Sequence, residues 1–157
     1  MKRLTARFLL PLLLLLAAAA SSAADTSSTP AAPDKLGAAR ARIAEKNWAA
    51  AVDELKKVGD TGSADWNNLM GYSLRKGGPT HYGEAESFYN EALRIDPKHR
   101  GALEYSGELY LMLGNLTLAE QRLATLDKVC FLPCEEYSDL RKAVARYKAA
   151  GNKYVPE

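Results

Sequence analysis

Apolar positions along the chain recur at helical spacing, and they recur in matching sets. Trp48, Ala51, Leu55 and Val58 are separated by steps of 3, 4 and 3 residues; Tyr82, Ala85, Tyr89 and Ala92 repeat the same steps, as do Leu116, Ala119, Leu123 and Leu126. Corresponding members lie 34 residues apart in both intervals. Steps of three and four bring side chains onto one face of an α-helix, so each set predicts a helix. A second amphipathic helix precedes each of the last two sets, with Trp66, Leu69, Met70, Gly71 and Leu74 in the middle unit and Leu103, Gly107, Tyr110 and Leu111 in the third. A glycine inside a helix forgoes about 1 kcal/mol relative to alanine. Gly71 and Gly107 therefore predict close approach of a neighbouring helix, with Ala85 and Ala119 as the expected facing residues. Ala39 holds the equivalent place in the first unit.

The breaks between these helices are regular too. Asn47, Gly77-Gly78-Pro79 and Gly114-Asn115 separate the two helices of each pair. Asp34, Ser63 and Asp96-Pro97 are the expected starts of the three units, because a short polar side chain accepts from a free helix-start amide and proline has no amide to leave unpaired. Each helical hairpin is too small to bury its apolar face alone, so neighbours must pack together. After Pro133 the repetition stops. Tyr137, Leu140, Val144 and Tyr147 form one apolar stripe among charged residues, which predicts a closing helix with a polar outer face.

Composition changes the picture at the N-terminus. Lys2, Arg3 and Arg7 precede the apolar run Phe8 to Ala20, and Ser22-Ala23-Ala24 offers a small-x-small cleavage pattern. This reads as a signal peptide over residues 1–24; an uncleaved membrane anchor is the rival, disfavoured because the run is too short to span a bilayer. No cysteine lies near the cleavage pattern, which disfavours a lipid anchor. Removing residues 1–24 takes away three basic side chains and no acidic ones, leaving 18 basic against 19 acidic, so the apparent net charge of +2 belongs to the leader. The near-neutral remainder gives no ground for nucleic acid as a partner. Residues 25–33 are Asp25 followed by Ser, Thr, Ala and Pro, without apolar periodicity, and read as a flexible leader. The expectation is an exported, periplasmic protein with no membrane span in its mature form.

The middle unit resembles the tetratricopeptide repeat, whose period is 34 residues. Trp66-Asn67-Asn68-Leu69-Met70-Gly71-Tyr72 looks like the first helix of that repeat, and Tyr82-Gly83-Glu84-Ala85, Tyr89, Ala92-Leu93 and Ile95-Asp96-Pro97 look like its second helix and exit turn. Gly107, Tyr110, Gly114-Asn115 and Ala119 extend the likeness to the third unit, although its terminal proline is displaced to Pro133; the first unit rests chiefly on Trp48, Ala51 and Leu55. The middle unit also carries two extra residues around Pro79-Thr80, and the first is about two short before Ser63. The resemblance implies an all-α solenoid over residues 34–154, with repeats at about 32–62, 63–99 and 100–133 and a capping helix at about 134–150. It also implies a concave face made by the first helices, presenting Arg40, Ile43, Asn68, Tyr72, Arg75, Lys76, Glu104, Glu108, Leu111 and Met112 to a partner protein or peptide. The Lys/Asn/Arg clamp that some members use for a terminal carboxylate is not reproduced.

Candidate chemistry is sparse. Cys130 and Cys134 form a C-x3-C pair around Phe131-Leu132-Pro133. Four residues apart at a helix end, their α-carbons can lie roughly 6 Å apart, within disulfide range, and an oxidising compartment favours the bridge. The pair is expected to staple the last repeat to the closing helix. A redox or metal-handling role for the same cysteines is the rival. It is weakened by the absence of a two-residue thioredoxin-like spacing, by Glu135 standing where a haem-attachment motif requires histidine, and by a shortage of further ligands. His81 and His99, the two histidines, fall between helices and read as solvated loop residues. No catalytic constellation or cofactor site is evident. The functional expectation is a non-catalytic interaction scaffold, with self-association through the end of the stack as a further alternative.

Overall fold

The computed structural model describes residues 33–132 and 134–156; within them the chain is all-helical, with no strand. The signal-peptide reading, and the leader reading up to residue 32, lie outside the described residues. Seven α-helices follow one another: α1 (Gly37–Ala44), α2 (Trp48–Val58), α3 (Ala64–Gly77), α4 (Tyr82–Ile95), α5 (Arg100–Met112), α6 (Leu116–Val129) and α7 (Glu135–Ala149). One turn of 3-10 helix, Pro79–His81, fills the lengthened connection between α3 and α4. Each helix packs on the next in the chain, α3 touches α5, and α5 also packs on α7.

The recurring apolar sets are the buried seams of α2, α4 and α6. Ala51, Leu55, Ala85, Tyr89, Ala92, Ala119 and Leu126 are wholly buried, while Trp48, Val58, Tyr82, Leu116 and Leu123 are half-buried at the margins. Alanine in each set permits close contact. Gly71 has the same purpose on α3: a β-carbon there would lie 2.8 Å from the Tyr89 ring and 3.1 Å from the Ala85 carbonyl oxygen. Gly107 departs from expectation. Its added β-carbon would meet Leu140 Cδ2 at 2.5 Å, so the close approach is made by α7 and not by Ala119 of α6. α5 is therefore sandwiched, and Leu140 is the knob that fits its glycine notch.

Two helix starts differ from the sequence expectation. Asp34 lies upstream of α1, where its Oδ1 accepts from the Leu36 amide at 3.0 Å and its carboxylate pairs with Arg40 at 2.7 Å. Asp96 and Pro97 end up in the turn, and His99 begins α5: its Nδ1 accepts from the Ala102 amide at 3.0 Å. His99 Nε2 also lies 2.9 Å from Asp65 on α3. The ring ties two helices together, and His99, whose side chain is 13% exposed, is not a solvated loop residue. Ser63 caps as expected, accepting from the Trp66 amide at 3.2 Å, and Asn47, read only as a break, caps α2 by accepting from the Ala50 amide at 3.2 Å. Trp66 then donates its indole N–H to the Leu55 carbonyl at 2.7 Å, locking α3 onto the end of α2.

The last helix, α7, runs Glu135–Ala149, with Tyr137 only half-buried. Leu140, Val144 and Tyr147 are buried, joined by Ala143. Lys148 reaches Glu120 on α6 at 2.6 Å, and Arg100 on α5 lies 3.6 Å from Glu136. Cys130 ends α6 and Cys134 begins α7, and a disulfide joins them with their α-carbons 5.8 Å apart. The loop so closed displays Phe131 at 99% exposure and Leu132 at 73%. A disulfide fits a chain exported to an oxidising compartment. Among the described residues no helix is long and apolar enough to cross a membrane.

Candidate functional site

Helices α3, α5 and α7 border two adjoining cavities of about 310 Å3 each, which share Arg75, Lys76 and Glu108. The first is completed by Tyr72, Glu104, Tyr105, Asp139 and Lys142. Met112, Ala143 and Arg146 continue into the second, which Gly78, Tyr82 of α4, Tyr154 and Pro156 also border. The two form a groove that runs across alternate helices of the chain.

Its floor is aromatic and its centre is an ion pair. The Tyr72 and Tyr105 rings lie with centroids 4.7 Å apart, and Trp48 meets Tyr72 edge-on at 6.0 Å. The Arg75 guanidinium sits 5.5 Å from both tyrosine rings, near enough for a cation–π contribution. Arg75 is only 4% exposed, and its Nη1 lies 2.6 Å from Glu108 Oε2. Burial works against the guanidinium charge, but Tyr89 and Glu108 outweigh it and hold the pKa of Arg75 above its ordinary value. Among the described residues Arg75 Nε has no hydrogen-bond partner.

Glu104 is the unusual carboxyl of the groove. It is 8% exposed and lines the first cavity beside Arg75 and Glu108. Burial, reinforced by the charges of Glu108, Asp139 and Glu136 and opposed by Arg75, pushes its pKa up to about 8. Burial also raises the phenol pKa of Tyr72, against the opposing charge of Arg75. At Tyr105 burial acts in the same upward direction, with Glu104 adding to it.

The expected concave-face residues divide into three groups. Tyr72, Arg75, Lys76, Glu104, Glu108 and Met112 come together in the groove. Leu111 is buried in the apolar cluster around α5–α7, and Asn68 is buried beside Gly101, so both are packed inside. Arg40 pairs with Asp34 and Ile43 is half-buried on α1; neither borders the groove. The sequence reading missed Tyr105 and the α7 residues Asp139, Lys142, Ala143 and Arg146. A larger cavity of about 510 Å3 lies between α2, α3 and α4, bordered by Trp48, Val52, Leu74 and His81 among others, and contains none of the expected site residues. Among the described residues no cluster of three or more His, Cys, Asp or Glu side chains is placed to hold a metal ion. No family model and no curated protein matches the chain.

Proposed function

We propose that this chain is a non-catalytic interaction module of the tetratricopeptide-repeat type, exported to the periplasm, that holds a partner protein or peptide along the α3–α5–α7 groove. The observation that carries this reading is the groove itself, lined chiefly by side chains from alternate helices. α3, α5 and α7 bring aromatic, cationic and acidic side chains together along one groove, with Tyr82 of α4 beside them. A groove with an aromatic floor and both charge signs suits a helix or extended segment, whose backbone and side chains need apolar contact and polar registration together. The 34-residue period and the glycine and alanine contacts at Gly71 and Ala85 support the repeat assignment.

Asp139→Arg tests this. It inverts a charge at the groove wall and leaves the buried face of α7, with Leu140 and Val144, untouched. The variant is expected to retain its helical circular dichroism and melting temperature while losing the protein cross-linked to the wild-type chain in its native host. If Asp139→Arg retains that partner at wild-type yield, the groove is not the binding face.

A further inference from the structure

The chain after α7 returns to the groove. Gly151 and Asn152 have φ of +69° and +59°, the left-handed backbone that glycine and asparagine tolerate best. Their amides donate to the carbonyls of Lys148 at 3.1 Å and Tyr147 at 3.0 Å, the Schellman arrangement that stops a helix. The stop ends α7 and reverses the chain. Tyr154 and Pro156 consequently border the second cavity together with Ala143, which lies well inside α7, about 9 Å of helix before its end at Ala149. In an extended segment residues two apart share a side, so Tyr154 and Pro156 border the cavity while Val155, 46% exposed, does not. Val155-Pro156 is also predisposed to that shape. Proline keeps the residue before it extended and has no amide that needs a partner, so the segment can lie against helices without strand pairing.

Resting on the reading of the groove as a binding face, we propose that Tyr154–Pro156 is a strap: an occupant supplied by the chain itself, which covers the second half of the groove and is displaced by a partner presenting an extended aromatic-x-proline segment of the same kind. The opposite wall suits that occupant. Tyr82 of α4, Met112 of α5 and Ala143 of α7 offer apolar contact to a ring and a proline, while Lys76 and Arg146 supply charge for a segment's polar groups. The strap is loosely seated. Tyr154 keeps 37% of its surface exposed, and about 310 Å3 stays open between the strap and the helices, so a competing segment can enter beside it. The tether from α7 is short, which gives the strap an effective concentration of about millimolar and sets a threshold that a partner must exceed. A strap that covers the site nine-tenths of the time lowers a partner's apparent affinity about tenfold.

The test follows the Met112 methyl resonance in the full chain with labelled methionine methyls. Met112 borders the cavity, and Met70, buried and no part of its wall, is the reference. Two variants free the strap by different routes. Tyr154→Ser with Pro156→Ser removes its contacts, and Gly151→Val opposes the left-handed turn while keeping both contact residues. Both should shift Met112 at every protein concentration and leave Met70 and the helical circular dichroism unchanged. The probe is a blocked hexapeptide with the sequence of residues 152–157. It should bind the double variant at least about tenfold more tightly than the wild type and return the Met112 methyl toward its wild-type position; serine in place of the probe's tyrosine should abolish this. Met112 unmoved in both variants would overturn the strap, as would equal affinity of the probe for wild type and double variant, or no binding to either. A wild-type Met112 position that depends on protein concentration would overturn it in favour of a segment from a second copy. Each of these results leaves the groove itself to Asp139→Arg, whose retention of the cross-linked partner would overturn the binding face whatever Met112 does.

Discussion

Arg75 on α3 and Glu108 on α5 meet at 2.6 Å across the helix interface, with the arginine side chain 4% exposed and the glutamate 19%. The contact joins successive helix pairs through a buried charge, and removing either partner has unequal consequences. Glu108→Ala leaves the guanidinium buried without its counter-charge and is expected to cost about 3 kcal/mol of folding stability. Arg75→Met, which removes the charge and keeps an apolar stem against Tyr72 and Tyr105, should cost less. Urea denaturation of the two variants checks the order; equal losses would mean that the buried charge is not what sets the cost.

The raised pKa of Glu104 makes stability depend on pH. The unfolded carboxyl ionises near its ordinary value of 4.5, whereas the folded one holds its proton to about 8. Between those values the folded state binds more protons, so stability falls as pH rises, by at most about 1.4 kcal/mol per unit and by less because water enters the open groove. Glu104→Gln removes the titration. Relative to wild type it should be close to neutral at pH 5 and stabilising at pH 8. The measurement is the urea midpoint of both proteins at the two pH values, and parallel pH profiles would contradict the assignment.

The disulfide closes a short loop, Cys130 to Cys134, with a sequence separation of 4. Chain-entropy reasoning assigns so small a loop about 2 kcal/mol of stabilisation. The double substitution Cys130→Ser with Cys134→Ser should lower stability by that order and leave the helical content unchanged. Partner binding by the still-folded variant separates a staple from redox chemistry: the account predicts that binding persists. Two reactive thiols in the unreduced wild-type protein would contradict the bridge itself.

Gly71→Ala adds a β-carbon 2.8 Å from the buried Tyr89 ring and 3.1 Å from the Ala85 carbonyl oxygen. Helix propensity favours alanine by about 1 kcal/mol, but a close-packed ring and a backbone atom leave little room to adjust. Overpacking of this kind costs about 1–3 kcal/mol. Thermal melting should show a net loss; a gain would mean that α3 and α4 are packed less tightly than described.

The sequence made the buried seams legible, because α2, α4 and α6 use alternating large and small residues at one period. Tyr72, Arg75 and Glu108 were legible as a face through the register of Gly71 and Gly107. Tyr105 was not, since in that register it occupies the place of Leu69 and reads as core. Asp139 and Lys142 escaped for a different reason: the repeat pattern ends before α7, and charged residues on a closing helix read as solvated until its packing on α5 is known. The caps were misplaced where a polar residue had a second use. Asp34 is taken up by Arg40 and the Leu36 amide, and His99, which is seldom preferred at a helix start, begins α5 through one ring nitrogen while the other meets Asp65.

The central claim is that α3, α5 and α7 form the binding face, and photocrosslinking in the native host tests it most directly. A photoreactive residue at position 142, on the groove wall, is compared with one at position 124, exposed on α6 outside the groove. The account predicts a specific adduct from position 142 that is absent from position 124 and is lost on Asp139→Arg. An adduct from position 124 with none from 142 would contradict it.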